Sequence, residues 1–327
     1  MKAVVIEKFG DVEGSVLRED FPIPKPSRDQ VLIRVRAAGV NRPDILQRKG
    51  LYRVPIGASP IMGLEVAGEI VEKGEDVSTR VIGEEVTALV PGGGYAEYVV
   101  THHEHCLPIP VGYSFEQAAG LCECLFTVWI NMITIGKIKG NEFFLIHGGS
   151  SGIGMFAIQL ASFYGARVIT SVRNREKANF CSDLGAEKVI NYGEEDFHSV
   201  VKQHTHNYGV DLILDMIGGD YFKKNIDLLS DEGRLIIIAF LKGNEVNLDL
   251  SQIMLKRVVL TGSTLRPRSD VFKSRIAFKL QENVWPLLEN GTIKSYTDSI
   301  YKLKDFKEAH RRMEESNHIG KIILNLD

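Results

Sequence analysis

The sequence predicts an α/β fold in two parts, a β-rich unit followed by a doubly wound unit on a parallel sheet. Three observations carry this. The first 110 or so residues are short β-type runs cut by Gly and Pro. From about Ser114 strands and helices alternate. The strands of that second part are apolar on both faces, as in a sheet covered by helices on either side. A length of 327 residues suits two domains.

In the first part, Ala3–Ile6, Val31–Ala37, Glu65–Glu72 and Glu85–Leu89 read as strands. Pro22, Pro24, Pro26, Pro43, Pro55, Pro60 and Pro91 interrupt them, so this part reads as an all-β barrel or sandwich. Pro108 and Pro110 mark its exit. Ser114 then reads as an N-cap with Gln117 in the first turn of an apolar helix. Phe143–His147 predicts a buried strand, and Ile153–Tyr164 an apolar helix stopped by Gly165. Val168–Val172 is a second strand, Glu176–Leu184 a helix ended by Gly185, and Val189–Asn191 a short third strand. Val210–Met216 and Arg234–Phe240 are further strands with a helix between them, and Val258–Ser263 a last one at an edge. Asp305–Glu315 predicts an amphipathic helix, and Gly320–Leu324 a closing strand.

Composition narrows the function. Hydrophobic residues make up 44% and charged residues 25%, enough for a core in each part. The formal net charge of −3 gives no footprint for nucleic acid. No run is expected to reach the roughly 18 apolar residues of a spanning helix, so no membrane role is expected. Met1–Glu7 reads as a strand rather than a signal peptide. Four cysteines, Cys106, Cys122, Cys124 and Cys181, form no disulfide framework; reduced thiols and a cytoplasmic location are the expectation.

The most informative local motif follows the strand Phe143–His147. The segment Gly148-Gly149-Ser150-Ser151-Gly152-Ile153-Gly154 runs into a helix. Small residues allow a tight turn and close approach to a pyrophosphate, and the helix N-terminus offers free N–H groups. Gly149 and Gly154 fit the G-x-G-x-x-G fingerprint, with Ser151 in place of the middle glycine. The same loop spells G-x-S-x-G, the nucleophile elbow of hydrolases, for which Asp215, His310 and His318 are the partner candidates. About 20 residues on, where an NAD-binding fold carries an acid, stands Arg173. Arg173 and Lys177, read as one helical turn apart, both suit a 2′-phosphate, which favours NADPH over NADH.

With these residues in hand, the chain resembles the medium-chain dehydrogenase/reductase superfamily, and within it the zeta-crystallin-like quinone oxidoreductases, closest to the p53-inducible branch. The carriers are the run Ala38–Tyr52, Gly63–Gly68, Gly92–Val99, the glycine loop, Leu184-Gly185-Ala186, Leu214–Gly219 and Ile319–Ile322. The resemblance implies a GroES-like β-rich catalytic domain over 1–124, completed by about 266–327, and a Rossmann doubly wound cofactor domain over 125–265. It implies that Asn41 and Thr127 border a nicotinamide, and that Arg173, Lys177 and Tyr192 hold the 2′-phosphate. Gly149, Ser151, Gly152, Ile153 and Gly154 would hold the pyrophosphate. Ile217, Phe240, Leu265, Arg266 and Lys321 would line the rest of the cofactor channel. A homodimer is implied, with the edge near Leu255–Ser263 as its seam.

Zinc members of the same superfamily carry a Cys near position 39–41 and a His within Gly-His-Glu. This chain has Gly39-Val40-Asn41 and Gly63-Leu64-Glu65, so no catalytic metal is expected. The His102–Cys106 cluster is rich in metal-binding residue types but reads as a surface turn, with adventitious binding favoured over a native metal site, and Cys122 and Cys124 read as buried inert thiols or, in a sharper reading, as redox-sensitive. The expected reaction is hydride transfer from NADPH to a quinone. Tyr52 and Asn41 are expected to stabilise the oxyanion, and Asp44 to position Arg48 or nearby backbone. Reduction of an activated C=C bond, as in an enone, is the rival, and NADPH binding without turnover a further one.

Overall fold

The strand Gln30–Val40 organises the β-rich part because three neighbours pair with it: Glu65–Lys73, Tyr98–His102 and Lys321–Asn325, all antiparallel. Register shifts along its pairing with Glu65–Lys73 bend it enough to serve them all. Glu65–Lys73 continues to Glu85–Leu89 and then Cys106–Pro108. Thr297–Lys302 lies parallel to Lys321–Asn325 at the other end. The core gathers Val31, Ile33, Ile70, Val86, Tyr95, Ile322 and Leu324. In this computed structural model, which describes all 327 residues, the chain divides into Met1–Phe126 with Leu265–Asp327, and Thr127–Thr264.

This part is not purely β, which corrects the expectation. A helix, Arg42–Arg48, leaves the end of the long strand. Pro43 does not break it, because proline is tolerated in a first turn that has no carbonyl to meet its missing N–H. Asp44 closes the turn by accepting the Asn41 backbone N–H at 2.8 Å.

The second unit carries six parallel strands in the order Lys188–Asn191, Arg167–Val172, Phe143–His147, Val210–Asp215, Leu229–Ile237, Val259–Gly262. Numbered along the unit this is 3-2-1-4-5-6, the dinucleotide-binding arrangement, with its switch point between the first and fourth strands. Phe143–His147 and Val210–Asp215 are buried along their whole length, as the apolar runs Phe143–Ile146 and Leu212–Leu214 require. The fifth strand differs from the expected Arg234–Phe240: it starts at Leu229, directly after the helix Asp220–Leu228, and ends at Ile237. Ile238–Phe240 form a loop instead, and the Ile238 N–H bonds to the Asp215 carbonyl at 2.8 Å.

One expectation about membranes is also corrected. Phe115–Ile135 form a 21-residue helical stretch whose most apolar 18-residue window has a mean hydropathy of 1.6, enough by length and composition to span a bilayer. Of that window 72% is buried inside the protein, so its apolar surface meets the core.

Candidate active site

The glycine loop lies at the C-terminal end of the first strand, beside the switch point. Gly148 takes φ +74, and a Cβ on Gly149 would fall 2.3 Å from Thr170 Oγ1, so the loop hugs the second strand only without side chains there. Ser151 is the N-cap of the helix Gly152–Phe163, its Oγ accepting the Gly154 N–H at 3.0 Å. That role explains a serine at the middle glycine position. Gly152 and Ile153 fill the first turn, whose N–H groups have no acceptor within their own helix. Beneath the loop, buried His147 bonds Ser171 Oγ at 2.9 Å and Asn225 Oδ1 at 2.9 Å, while the Ser171 carbonyl accepts Gly148 N–H at 3.0 Å.

Arg173 follows the second strand and is exposed. It is not on the next helix, which corrects the one-turn reading: Asn174 is the N-cap, and Arg175–Asp183 form the helix. Lys177 is in that helix's first turn and is buried, with its N–H on Asn174 Oδ1 at 3.0 Å. Tyr192 is exposed just past the third strand, where its N–H bonds the Val172 carbonyl at 3.0 Å, so Arg173 and Tyr192 leave neighbouring strand ends. Ile217 and Phe240 sit in adjoining loops beyond the fourth and fifth strands, linked by Lys242 N–H to the Ile217 carbonyl at 2.8 Å. The carbonyl of Thr127 accepts from Asn131 Nδ2 at 2.8 Å.

Two of the three partner candidates for the nucleophile elbow are engaged elsewhere. Asp215 accepts the N–H groups of Ile217 and Gly218 rather than orienting a histidine. His310 bonds the Tyr95 hydroxyl at 3.4 Å and packs edge-on to Phe306.

In the β-rich unit, sheet pairing brings the distant ends of the sequence together. Ile322 pairs with Val40 and Ile323 with Gly39, which places Lys321 beside Asn41. Lys321 Nζ donates to Asn41 Oδ1 and contacts Glu65 Oε1, both at 2.7 Å. Asn41 Nδ2 donates to the same Glu65 oxygen at 2.8 Å, and the Glu123 N–H donates to the other at 2.9 Å. Glu65 is fully buried and Lys321 nearly so. Gly39 makes room: a Cβ there would lie 2.1 Å from Glu65 Oε1. Sequence reasoning weighed Glu65 only as part of a missing zinc motif. A carboxylate heading the buried run Glu65–Gly68 was the available signal, since a buried acid calls for a cation.

Asp44 accepts from the Asn41 N–H at 2.8 Å, the Gly63 N–H at 3.0 Å and the Tyr95 hydroxyl at 3.1 Å. It therefore fixes backbone, and does not position Arg48, which pairs with Glu314 at 2.9 Å. Burial pushes Asp44 up to about 6. The Arg266 guanidinium stands over the Tyr52 ring at 5.4 Å. Burial and the nearby Glu123 push the Tyr52 hydroxyl up to about 12, so it stays a donor. Arg266 itself is held by the Pro91 carbonyl and Gln47 Oε1, each at 2.8 Å, and Leu265 lines the adjoining pocket.

All four cysteines are buried, and burial pushes Cys106 and Cys124 up to about 12 and Cys122 well up. This is the environment of inert thiols and argues against a redox-sensitive pair. His103–His105 form a single helical turn, with the rings of His102 and His103 stacked at 4.8 Å.

Residues 27–111 match the alcohol dehydrogenase GroES-like domain, and residues 152–279 match the zinc-binding dehydrogenase family. A quinone oxidoreductase from Sus scrofa is 31% identical over 328 residues, covering 100% of this chain and 98% of that one. The chain belongs to the zeta-crystallin-like quinone oxidoreductases of the medium-chain dehydrogenase/reductase superfamily. Among solved structures, Escherichia coli quinone oxidoreductase complexed with NADPH superposes with a TM-score of 0.90 at 26% identity, covering 100% of both chains. An NAD-dependent alcohol dehydrogenase, at 28% identity and TM-score 0.87 over 100% of both chains, has the same fold. The fold therefore serves both nicotinamide cofactors, and the residues after the second strand must decide between them.

Proposed function

We propose that this oxidoreductase reduces a quinone with NADPH, without a catalytic metal, as a cytoplasmic homodimer. The observation that carries the cofactor assignment is Arg173, placed where an acid would bind a ribose hydroxyl, at the end of the strand next to the glycine loop. The loop fits the group: its glycines admit close approach, and the first-turn N–H groups of Gly152 and Ile153 suit a pyrophosphate. Arg173, Lys177 and Tyr192 would hold the 2′-phosphate; Ile217, Phe240, Leu265 and Lys321 would border the rest of the cofactor.

When bound, NADPH supplies the hydride. The chain's own groups then handle charge. Reduction leaves an oxyanion, which the Tyr52 hydroxyl stabilises by donating a hydrogen bond. Held up to about 12, that hydroxyl keeps its proton, so the oxyanion takes its proton from solvent. Asn41 is tethered to Glu65 and Lys321, which fixes its orientation, and it would border the nicotinamide together with Thr127. The metal-free reading draws support from this same cluster, since the cation gathered by Asn41 and Glu65 is the Lys321 ammonium. The dimer draws support from the edge strand Val259–Gly262, with Val259 52% and Leu260 37% exposed.

The test follows NADPH oxidation against a quinone, an enone, an aldehyde and a blank, with NADH in parallel and EDTA present. Acceptor-dependent oxidation that prefers NADPH and survives EDTA, fastest with the quinone, is the expected result. A faster enone moves the assignment to C=C reduction. Loss of rate in EDTA removes the metal-free reading.

A further inference from the structure

A small pocket within the β-rich unit is lined by Arg266, Lys273 and Glu123, together with His105 and the apolar Leu64 and Leu89. Arg266 and Lys273 are 6% and 5% exposed, and neither forms an ion pair. Desolvating an isolated ammonium or guanidinium costs several kcal/mol, so buried cations ordinarily stand against a carboxylate. Here the carboxylates acting on Lys273 are Asp270, exposed on its own helix, and Glu123 in the pocket wall. Arg266 has two of its nitrogens occupied by the Pro91 carbonyl and Gln47, and its Nη2 is buried without a partner. His105 bonds the Asp270 carbonyl at 3.2 Å through Nε2, and burial pushes it down to about 4, so it is neutral. Burial together with Glu65 and Asp44 pushes Glu123 up to about 8, so near neutral pH the carboxyl is largely protonated. The pocket is thus cationic on balance and short of an anion.

We propose that this pocket binds the carboxylate of the electron acceptor, with Arg266 and Lys273 as its counter-ions, so that the acceptor is a carboxylated quinone rather than a neutral one. The cavity is about 10 Å³, room for about one water-sized group, so it admits the tip of a carboxylate and no ring. Because Arg266 also stands over Tyr52, an acceptor anchored there keeps its own ring beside the proposed oxyanion donor. The proposal rests on the quinone-reductase reading and names the substrate class for that site.

The test compares a naphthoquinone with its carboxylated analogue, using wild-type protein, Lys273→Met and Lys273→Arg. In wild type the carboxylated quinone has a KM at least tenfold lower. Lys273→Met raises that KM about tenfold or more, the range of one charge-assisted hydrogen bond, and leaves kcat/KM for the neutral quinone unchanged. Lys273→Arg retains the preference. Equal KM values in wild type, or equal losses for both quinones in Lys273→Met, overturn the proposal. Calorimetry with naphthoate, which cannot be reduced, separates the two readings. Naphthoate binding that Lys273→Met abolishes supports the pocket even if neither quinone is turned over, in which case only the reductase reading falls. Absence of naphthoate binding to wild type overturns the pocket. Matching melting temperatures for the variants establish that each is folded.

Discussion

Lys321 and Glu65 meet at 2.7 Å with both side chains buried, and Asn41 bonds to each of them. Removing one member of such a pair leaves the other charge without compensation, at a cost of about 3–5 kcal/mol. Lys321→Met is therefore expected to destabilise the protein by about that amount in denaturant titrations, while the double variant Lys321→Met, Glu65→Gln recovers most of the loss. If the double variant is as unstable as the single one, the ion pair is not the source.

Arg173 is expected to set cofactor choice. Arg173→Ala should raise the Kd for NADPH by roughly tenfold to a hundredfold, the range of a charge-assisted hydrogen bond, and leave the Kd for NADH within about twofold. Fluorescence titration of the two cofactors reads this directly. Equal losses for both would place Arg173 in the fold rather than at the phosphate.

Tyr52→Phe removes one hydrogen-bond donor. The expected loss in kcat/KM is of order 100-fold for an enone, where charge develops beside a carbon that must also be protonated, and smaller for a quinone. With the hydroxyl held up to about 12, wild-type activity should show no alkaline limb from this group below that value. No change for any substrate would remove Tyr52 from the chemistry.

The pocket acid predicts how stability responds to pH. Glu123 binds its proton up to about 8 in the folded protein and to about the ordinary 4.5 when unfolded, so stability falls as pH rises across that window. His105 and His310 act oppositely: held down to about 4 and about 3, they add stability as pH rises towards 6.5, and no more above it. Above pH 6.5 the histidine contribution fades while the decline from Glu123 continues to about 8. Denaturant melts from pH 6.5 to 8 should therefore show stability falling with pH more steeply in wild type than in Glu123→Gln.

What the sequence made legible follows from the kind of physics involved. The strands of the parallel sheet, the capped helix after Ser114 and the glycine loop were readable because each follows from neighbours along the chain, and they form where expected except for the shifted fifth strand. Local rules also misled: Pro43 was read as a breaker although it sits in a helix's first turn. Arg173 and Lys177 were read onto one helix although the N-cap falls between them. The hidden part is long-range. Nothing near Glu65 announces Lys321, and nothing near Arg266 announces Glu123; strand register brings the first pair together, and burial around one pocket the second.

That long reach fixes an order of events. Lys321 is 280 residues from Asn41 along the chain, whereas the glycine loop and every strand of its sheet lie between residues 143 and 262. On a ribosome the nucleotide-binding sheet is complete in the emerging chain while Glu65 still lacks its cation. The β-rich unit is begun first and finished last, and until its closing strand arrives it exposes an unpaired sheet edge to the cell.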